Sequence, residues 1–321
     1  MKLMFFPTKY GRLIERVEQS FPELQIVRAD SVAEVAERIG GVEALVTANS
    51  IYSPDVGRAV RENGTSLRWL QFTTSGIDTA LKTGVPEGIP VTNGSGMHAH
   101  CVAAHAMALM LAVMRRFNDC AAARAERRWL RASINASLST PRGKTMVIVG
   151  LGAIGQDIAR KAKAFDMRVI GISRAGRTDH VDDIRPREEL HAALAEADVV
   201  MIATAYDATT HHMIDAAALA AVKTGASLVN IARGAVIDEP ALIAALQNGH
   251  ISAAGLDVAE IEPLPTDSPL WTMPNVVLTP HIAGSGADNN DALFEVISHN
   301  LKLFMAGKPF DRVVYGPNPA V

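Results

Sequence analysis

Cysteine is scarce: Cys101 and Cys120 are the two in 321 residues. Two are too few for a disulfide framework, and their presence as isolated residues points to a reducing compartment. Cys101 reads as a small buried hydrophobe and Cys120 as a residue near a helix end. An excess of charge is also missing. The formal net charge is −3, which supplies no electrostatic reason to expect nucleic acid or an anionic membrane as partner. The N-terminal MKLMFFPTKYGR holds only a short apolar run broken by Pro7. It is too short for a signal-peptide core or a membrane span and reads as a first strand. Low-complexity tracts and internal repeats do not stand out. The expectation is a cytoplasmic globular protein. Its 48% hydrophobic and 20% charged composition is ordinary for that class, and its length predicts two domains.

What is present is alternation. Strand-like apolar runs and helix-like segments follow one another, the pattern of parallel βαβ construction. KLMFF, LQIV, EALVTA, LRWLQFT and IPVTN form a first group and predict a five-stranded doubly wound unit of flavodoxin type. A long helix is expected from about His98 to Trp129, with an apolar face for the core or a partner. TMVIVG, MRVIGIS, ADVVMIAT, SLVNIA, ISAAGLDV and NVVLTP form a second group. Most lack polar alternation, as central parallel strands buried on both faces do, and six strands match a dinucleotide-binding sheet of Rossmann type. The tail from about Asp288 to Ala306 reads as an amphipathic helix crossing back to the first domain, where FDRVVY could add an edge segment. The expected fold class is therefore α/β, with two doubly wound parallel-sheet domains: 1–97 plus 288–321, and 98–287.

Between TMVIV and the next helix lies Gly150-Leu-Gly152-Ala-Ile-Gly155. In that context the first glycine permits the tight turn, the second lets the backbone approach a pyrophosphate, and the third packs helix on strand. The helix N-terminus offers unpaired N–H groups and partial positive charge to phosphates. NAD-binding versions carry an acidic residue about 20 residues further on, which accepts from the ribose 2′-hydroxyl. Here that acid is missing. Ser173, Arg174 and Arg177 stand there instead, a set suited to bonding a 2′-phosphate. NADP is expected in preference to NAD. Ala153 and Ile154 in the turn, Thr204, Thr209, Ile231, Ala232 and Gly284 at the ends of later strands complete the expected cofactor site.

Three later segments place polar side chains just after buried strands: Arg233 in NIARGAVID, Asp257 and Glu262 in LDVAEIEPLP, and His281 in TPHIAG. Ligands of open α/β sheets sit outside the carboxyl ends of the strands. One Arg, one His and one carboxylate beside a hydride carrier suit reduction of a 2-oxo acid. The Arg holds the substrate carboxylate and polarises the carbonyl, the His donates a proton, and the carboxylate orients the imidazole and favours its protonated form. Taken singly, each has a bland reading as a strand-end charge, a loop carboxylate or a structural histidine. Their joint placement after successive strands reverses that balance. His98, His100 and His105 share one helix, but no Cys or carboxylate set completes a metal site. His211 and His212 read as a surface turn, and Trp69 and Trp271 as core or domain-interface anchors.

These segments, with LRWLQFTTSGID, VTNGSGMHAHCVAAHAMALMLAVMRR and RGKTMVIVGLGAIG, make the sequence resemble the D-isomer-specific 2-hydroxyacid dehydrogenase family along nearly its whole length. The resemblance implies that Arg233, Glu262 and His281 are catalytic. It makes Asp257 the acceptor for the nicotinamide carboxamide and Ser75-Gly76 the backbone donors to the substrate carboxylate; within TANSI, Asn49 is taken to shape the pocket. It also implies a two-domain cleft and a homodimer through the dinucleotide-binding domain. Two positions depart from the family pattern: Ala104 replaces a common Glu, and Ala205 replaces a common Pro. The expected activity is reduction of glyoxylate or hydroxypyruvate. Oxidation of D-3-phosphoglycerate or another D-2-hydroxy acid with NAD is the in-class alternative. A dinucleotide-sensing protein like the corepressors built on this fold is the alternative from a different class.

Overall fold

The computed structural model describes residues 1–74, 76–94, 96, 98–173, 178–286 and 289–318. The chain divides into two compact units, 1–98 with 286–321, and 99–285. In the first, β1 (Lys2–Phe5), α1 (Gly11–Ser20), β2 (Gln25–Arg28), α2 (Val32–Arg38), β3 (Ala44–Thr47), α3 (Pro54–Asn63), β4 (Trp69–Phe72), α4 (Asp78–Thr83) and β5 (Val91–Thr92) alternate strand and helix. The strands pair in parallel in the order β2-β1-β3-β4-β5, a flavodoxin-like winding. The alternate pointing of strand side chains feeds two cores. Met4, Leu45 and Leu70 face one. Leu3, Phe5, Val46 and Trp69 face the other.

The second unit opens with α5 (Ala99–Met114), α6 (Phe117–Ala125) and α7 (Arg131–Asn135). The single helix expected from His98 to Trp129 is thus broken. Arg116 adopts φ +56, a left-handed conformation that ends α5, and its guanidinium bonds Asp119 at 2.6 Å. Then follow β6 (Thr145–Val149), α8 (Ala153–Ala164), β7 (Arg168–Ile172), β8 (Asp183–Arg185), α9 (Leu190–Leu194), β9 (Val199–Ile202), α10 (Ala216–Ala221), β10 (Ala226–Asn230), α11 (Glu239–Gln247), β11 (Ile251–Leu256) and β12 (Val276–Leu278). Their order is β12-β11-β10-β9-β6-β7-β8, all parallel. Among the described residues the sheet has seven strands, not the expected six. The extra one, β8, is a half-buried edge strand reading Asp-Ile-Arg, and an edge strand needs no apolar run. The strand order reverses direction between β6 and β9, which is where such sheets bind ligands.

The chain then returns to the first unit as α12 (Asn289–Met305). Leu293, Ile297 and Leu301 join the core beneath α1, and Asn300 donates to the buried Gln71 at 2.8 Å. Tyr315 forms an isolated antiparallel bridge with Val91 of β5, so FDRVVY adds a single bridge and no strand. Among the described residues, no helix is long and apolar enough to cross a membrane.

Candidate active site

The glycine turn joins β6 to α8. Gly150 has φ +100, and a Cβ there would stand 2.6 Å from the Thr204 Cα at the end of β9, so both the turn and the neighbouring strand require glycine. A Cβ on Gly155 would lie 2.0 Å from the Gly150 carbonyl oxygen, which fixes the close approach of α8 to the turn. Gly152 differs: a Cβ there would meet nothing within 4 Å. Its lack of a side chain serves the open space above α8. As N-cap it supplies no side-chain bond to the first turn, so the helix N–H groups flanking Ala153 and Ile154 remain for an outside acceptor. These features fit a pyrophosphate.

Ser173 follows β7, its N–H donating to Arg185 O at 3.1 Å, at the position where NAD sites carry an acid. Arg174 and Arg177 lie outside the described residues. Thr209 lies on a turn organised by Asp207, whose Oδ1 accepts from the Thr209 N–H at 2.7 Å and hydroxyl at 2.6 Å. Ile231 and Ala232 continue β10 as buried residues, and Gly284 lies in the turn beyond His281.

Beyond β10 the chain turns at Arg233. Asn230 shapes the turn: its Oδ1 accepts from Ala232 N–H at 3.0 Å and its Nδ2 donates to Arg233 O at 3.0 Å. The Arg233 guanidinium donates to Ala232 O at 2.7 Å. Asp238 caps α11 by accepting from Ala241 N–H at 3.1 Å, which closes the segment on its far side.

Beyond β11 comes Asp257, 1% exposed. Its Oδ1 accepts from the Thr279 hydroxyl at 2.6 Å and Ile282 N–H at 2.9 Å, and its Oδ2 from Ala283 N–H at 2.9 Å. The one hydroxyl hydrogen of Thr279 goes to Asp257, so at 2.9 Å its oxygen accepts from His105 Nε2 of α5. His281 N–H donates to the backbone oxygen of Asp257 at 2.7 Å. Asp257 therefore ties down the turn that presents His281, whose φ of +53 is a conformation the surroundings must hold. A second acceptor position on Oδ2 remains for an incoming donor. Sequence reasoning missed Thr279 and His105 as supports; the one available signal was a threonine and a histidine that the fold had not yet brought together.

Glu262 and His281 meet directly, Nδ1–H donating to Oε2 at 2.7 Å, while Ala259 N–H donates to Oε1 at 3.2 Å. Burial pushes the Glu262 carboxyl upward. The hydrogen bond from His281, the charges of His281 and Arg233, and the Ala259 N–H outweigh it and hold the group below its usual value. With Nδ1–H committed to the carboxylate, Nε2 is the nitrogen left to exchange a proton with a ligand. A mainly apolar hollow of about 570 Å³ adjoins the pair, walled by Leu264, Trp271 and Leu278 among others. Trp271, expected as an anchor, is thus 55% exposed, whereas Trp69 is fully buried.

In the first unit, Asn49 starts the turn after β3 and its Oδ1 accepts from Ala80 N–H at 2.9 Å, joining that turn to α4. Gly76 accepts the Thr74 hydroxyl at 2.9 Å; Ser75 lies outside the described residues. Ala104 is on the exposed side of α5, so the missing Glu leaves the unit's own packing untouched. Among the described residues, no group of three His, Cys, Asp or Glu could hold a metal ion.

Comparison with known proteins identifies the family. Residues 107–283 match the profile of the D-isomer specific 2-hydroxyacid dehydrogenase NAD binding domain. The chain is 36% identical over 288 residues to the glyoxylate reductase of Pyrococcus furiosus, covering 86% of this chain and 83% of that one. It is 34% identical over 312 residues to glyoxylate/hydroxypyruvate reductase B of Salmonella typhimurium, covering 95% of each. Among solved structures, a D-isomer specific 2-hydroxyacid dehydrogenase of Xanthobacter autotrophicus Py2 in complex with NADPH and MES superposes with a TM-score of 0.79 at 26% identity, over 98% of both chains. The matched profile spans more than half of the chain and the two reductases are each more than 30% identical over most of it, so the chain belongs to the D-isomer specific 2-hydroxyacid dehydrogenase family.

Proposed function

We propose that this chain reduces a small 2-oxo acid, glyoxylate or hydroxypyruvate, to the D-2-hydroxy acid, with NADPH preferred over NADH. The observation that carries the reading is the 2.7 Å bond from His281 Nδ1 to Glu262, formed where the charge of Arg233 also reaches the carboxyl. When bound, the nicotinamide supplies a hydride to the substrate carbonyl carbon. Arg233 binds the substrate carboxylate and draws charge onto the carbonyl oxygen. His281 Nε2 gives that oxygen a proton, and Glu262 holds the ring and stabilises its charged form. Asn49, Ser75 and Gly76 are assigned to substrate binding. Gly150, Gly152, Ala153, Ile154, Gly155, Thr204, Thr209, Ile231, Ala232, Asp257 and Gly284 are assigned to the cofactor.

The NADPH preference is supported by what stands after β7. Ser173, Arg174 and Arg177 replace the acid that would repel a 2′-phosphate, and one relative was solved with NADPH. The substrate class is supported by the relatives named glyoxylate and hydroxypyruvate reductase. The family resemblance and the scarcity of cysteine support a cytoplasmic homodimer.

A panel of 2-oxo acids with each cofactor, followed by nicotinamide absorbance, tests this. Glyoxylate or hydroxypyruvate is expected to turn over with kcat/KM higher for NADPH, and His281→Ala to lose about 10²–10⁴-fold. A clear NADH preference would remove the cofactor assignment. Phosphoglycerate as best substrate would replace the substrate assignment. Tight cofactor binding without turnover of any 2-oxo acid would point to a dinucleotide-sensing protein.

A further inference from the structure

The stretch ATAYDATTHH, between β9 and α10, carries two histidines that take no part in the site described above. The rings of His211 and His212 stack with centroids 4.0 Å apart. His211 stays on its own segment, its Nδ1 lying 3.3 Å from the Tyr206 hydroxyl. His212 reaches away from it. Its Nε2 donates to Glu260 Oε1 at 2.7 Å, and Glu260 stands two residues before Glu262 on the loop leaving β11. A carboxylate only accepts, so Nε2 carries the hydrogen.

The backbone of His212 is pinned separately. Its N–H donates to Ala235 O at 2.9 Å, and Ile214 N–H donates to Val236 O at 3.0 Å. Both acceptors belong to the segment that follows Arg233. His212 also has φ +46, a conformation that the surrounding bonds must hold. Glu260 is fastened a second time, its N–H donating to Oε2 of Glu239 at the start of α11, at 2.9 Å. The contact beneath is steric: a Cβ on Gly234 would fall 1.9 Å from the carbonyl carbon of Ala259. The loops leaving β9, β10 and β11 therefore meet at Ala259 and Glu260, and one of them carries Glu262.

We propose that His212, acting through Glu260, is a positioning residue that keeps the Glu262 loop at hydrogen-bond distance from His281. The inference rests on reading Glu262 and His281 as the catalytic pair. The side chains of His212 and Glu260 are 34% and 26% exposed, and an ion pair at that exposure adds little to folding stability. Its leverage is on geometry, because a displacement of about 1 Å in a catalytic group can cost about 10²-fold in rate. The pair thus matters far more to kcat than to the melting temperature.

A double-mutant cycle on the full-length enzyme tests this with a 2-oxo acid and NADPH. His212→Ala is expected to lower kcat about tenfold while both KM values and the melting temperature stay close to those of the parent. His212→Gln, which can still donate to Glu260, is expected to recover most of that loss. In a Glu262→Gln background the same His212→Ala change is expected to cost less than about twofold, since coupled residues are not additive. Glu260→Ala is expected to repeat the kcat loss, and it serves as the test if His212→Ala does not fold. An unchanged kcat in His212→Ala, or a tenfold loss of equal size in the Glu262→Gln background, overturns the proposal. His281→Ala run alongside separates the two levels: activity surviving there sinks the catalytic pair itself, whereas its loss beside an unaffected His212→Ala sinks only the positioning role.

Discussion

Glu262 is held below the ordinary glutamate value although burial alone would raise it; the His281 hydrogen bond and charge, aided by Ala259 N–H and Arg233, more than offset the burial. A carboxyl depressed by folding contributes stability that is present above its unfolded value and lost as pH falls through the folded one. The side chains of Glu262 and His281 are 38% and 45% exposed, so screening keeps the contribution below about 1 kcal/mol. Glu262→Gln is therefore expected to lower the melting temperature slightly near neutral pH, with the difference vanishing once the medium is acid enough to protonate the wild-type carboxylate. The same variant is expected to lose about 10²-fold in kcat, because the ring loses the carboxylate that accepts from Nδ1 and orients it. Calorimetry across pH and a kcat measurement check both; a melting difference that persists undiminished in acid contradicts the ion-pair account. Glu262 and His281 could each be singled out from their segments, yet the atoms that meet, Nδ1 and Oε2, were not legible. Side-chain direction after a strand depends on turns such as that of His281, with its φ of +53.

At the scale of elements, the unit formed by β6, the glycine turn and α8 was readable in full, because a buried parallel strand, a tight turn and a helix N-terminus each demand particular residue types. The α5 segment was readable only in part. Its apolar surface is core: Val102, Ala106, Met110 and Val113 pack with Met146, Val199 and Val229 from strands β6, β9 and β10. Met110 is fully buried there. Met110→Ala is expected to cost about 2–5 kcal/mol, seen as a lower urea midpoint at unchanged slope; a shift below about 0.5 kcal/mol would mean that the site collapses around the gap. The end of α5 was not legible, since the left-handed residue there is Arg116 and not the Gly or Asn that announces a helix stop. Strand β8 escaped for a related reason: its pairing with β7 comes from its neighbour and not from an apolar pattern of its own.

For the molecule as a whole, Trp129, Phe117 and Trp271 of the 99–285 unit are each more than half exposed. Trp129 is 93% exposed and Phe117 60% exposed, but single exposed side chains do not make an interface; a contiguous apolar patch does. The proposed homodimer through this unit therefore rests on the family resemblance. Light scattering is expected to give twice the 34.2 kDa chain mass. A wild-type mass of one chain at micromolar concentration removes the homodimer.

By itself the sequence determined the two parallel sheets, the place of the dinucleotide turn and the residues that follow the last three strands. Those properties depend on local pattern, on which residue types a buried strand or a glycine turn can tolerate. Tertiary structure alone decided that Asp257 braces the His281 turn through Thr279 and Ile282, that His281 presents Nδ1 to Glu262, and that His212 reaches the loop of Glu260. These bonds join residues 19 to 48 positions apart in the chain. Hydrogen bonds act over about 3 Å, and only the packed strands bring such residues that close.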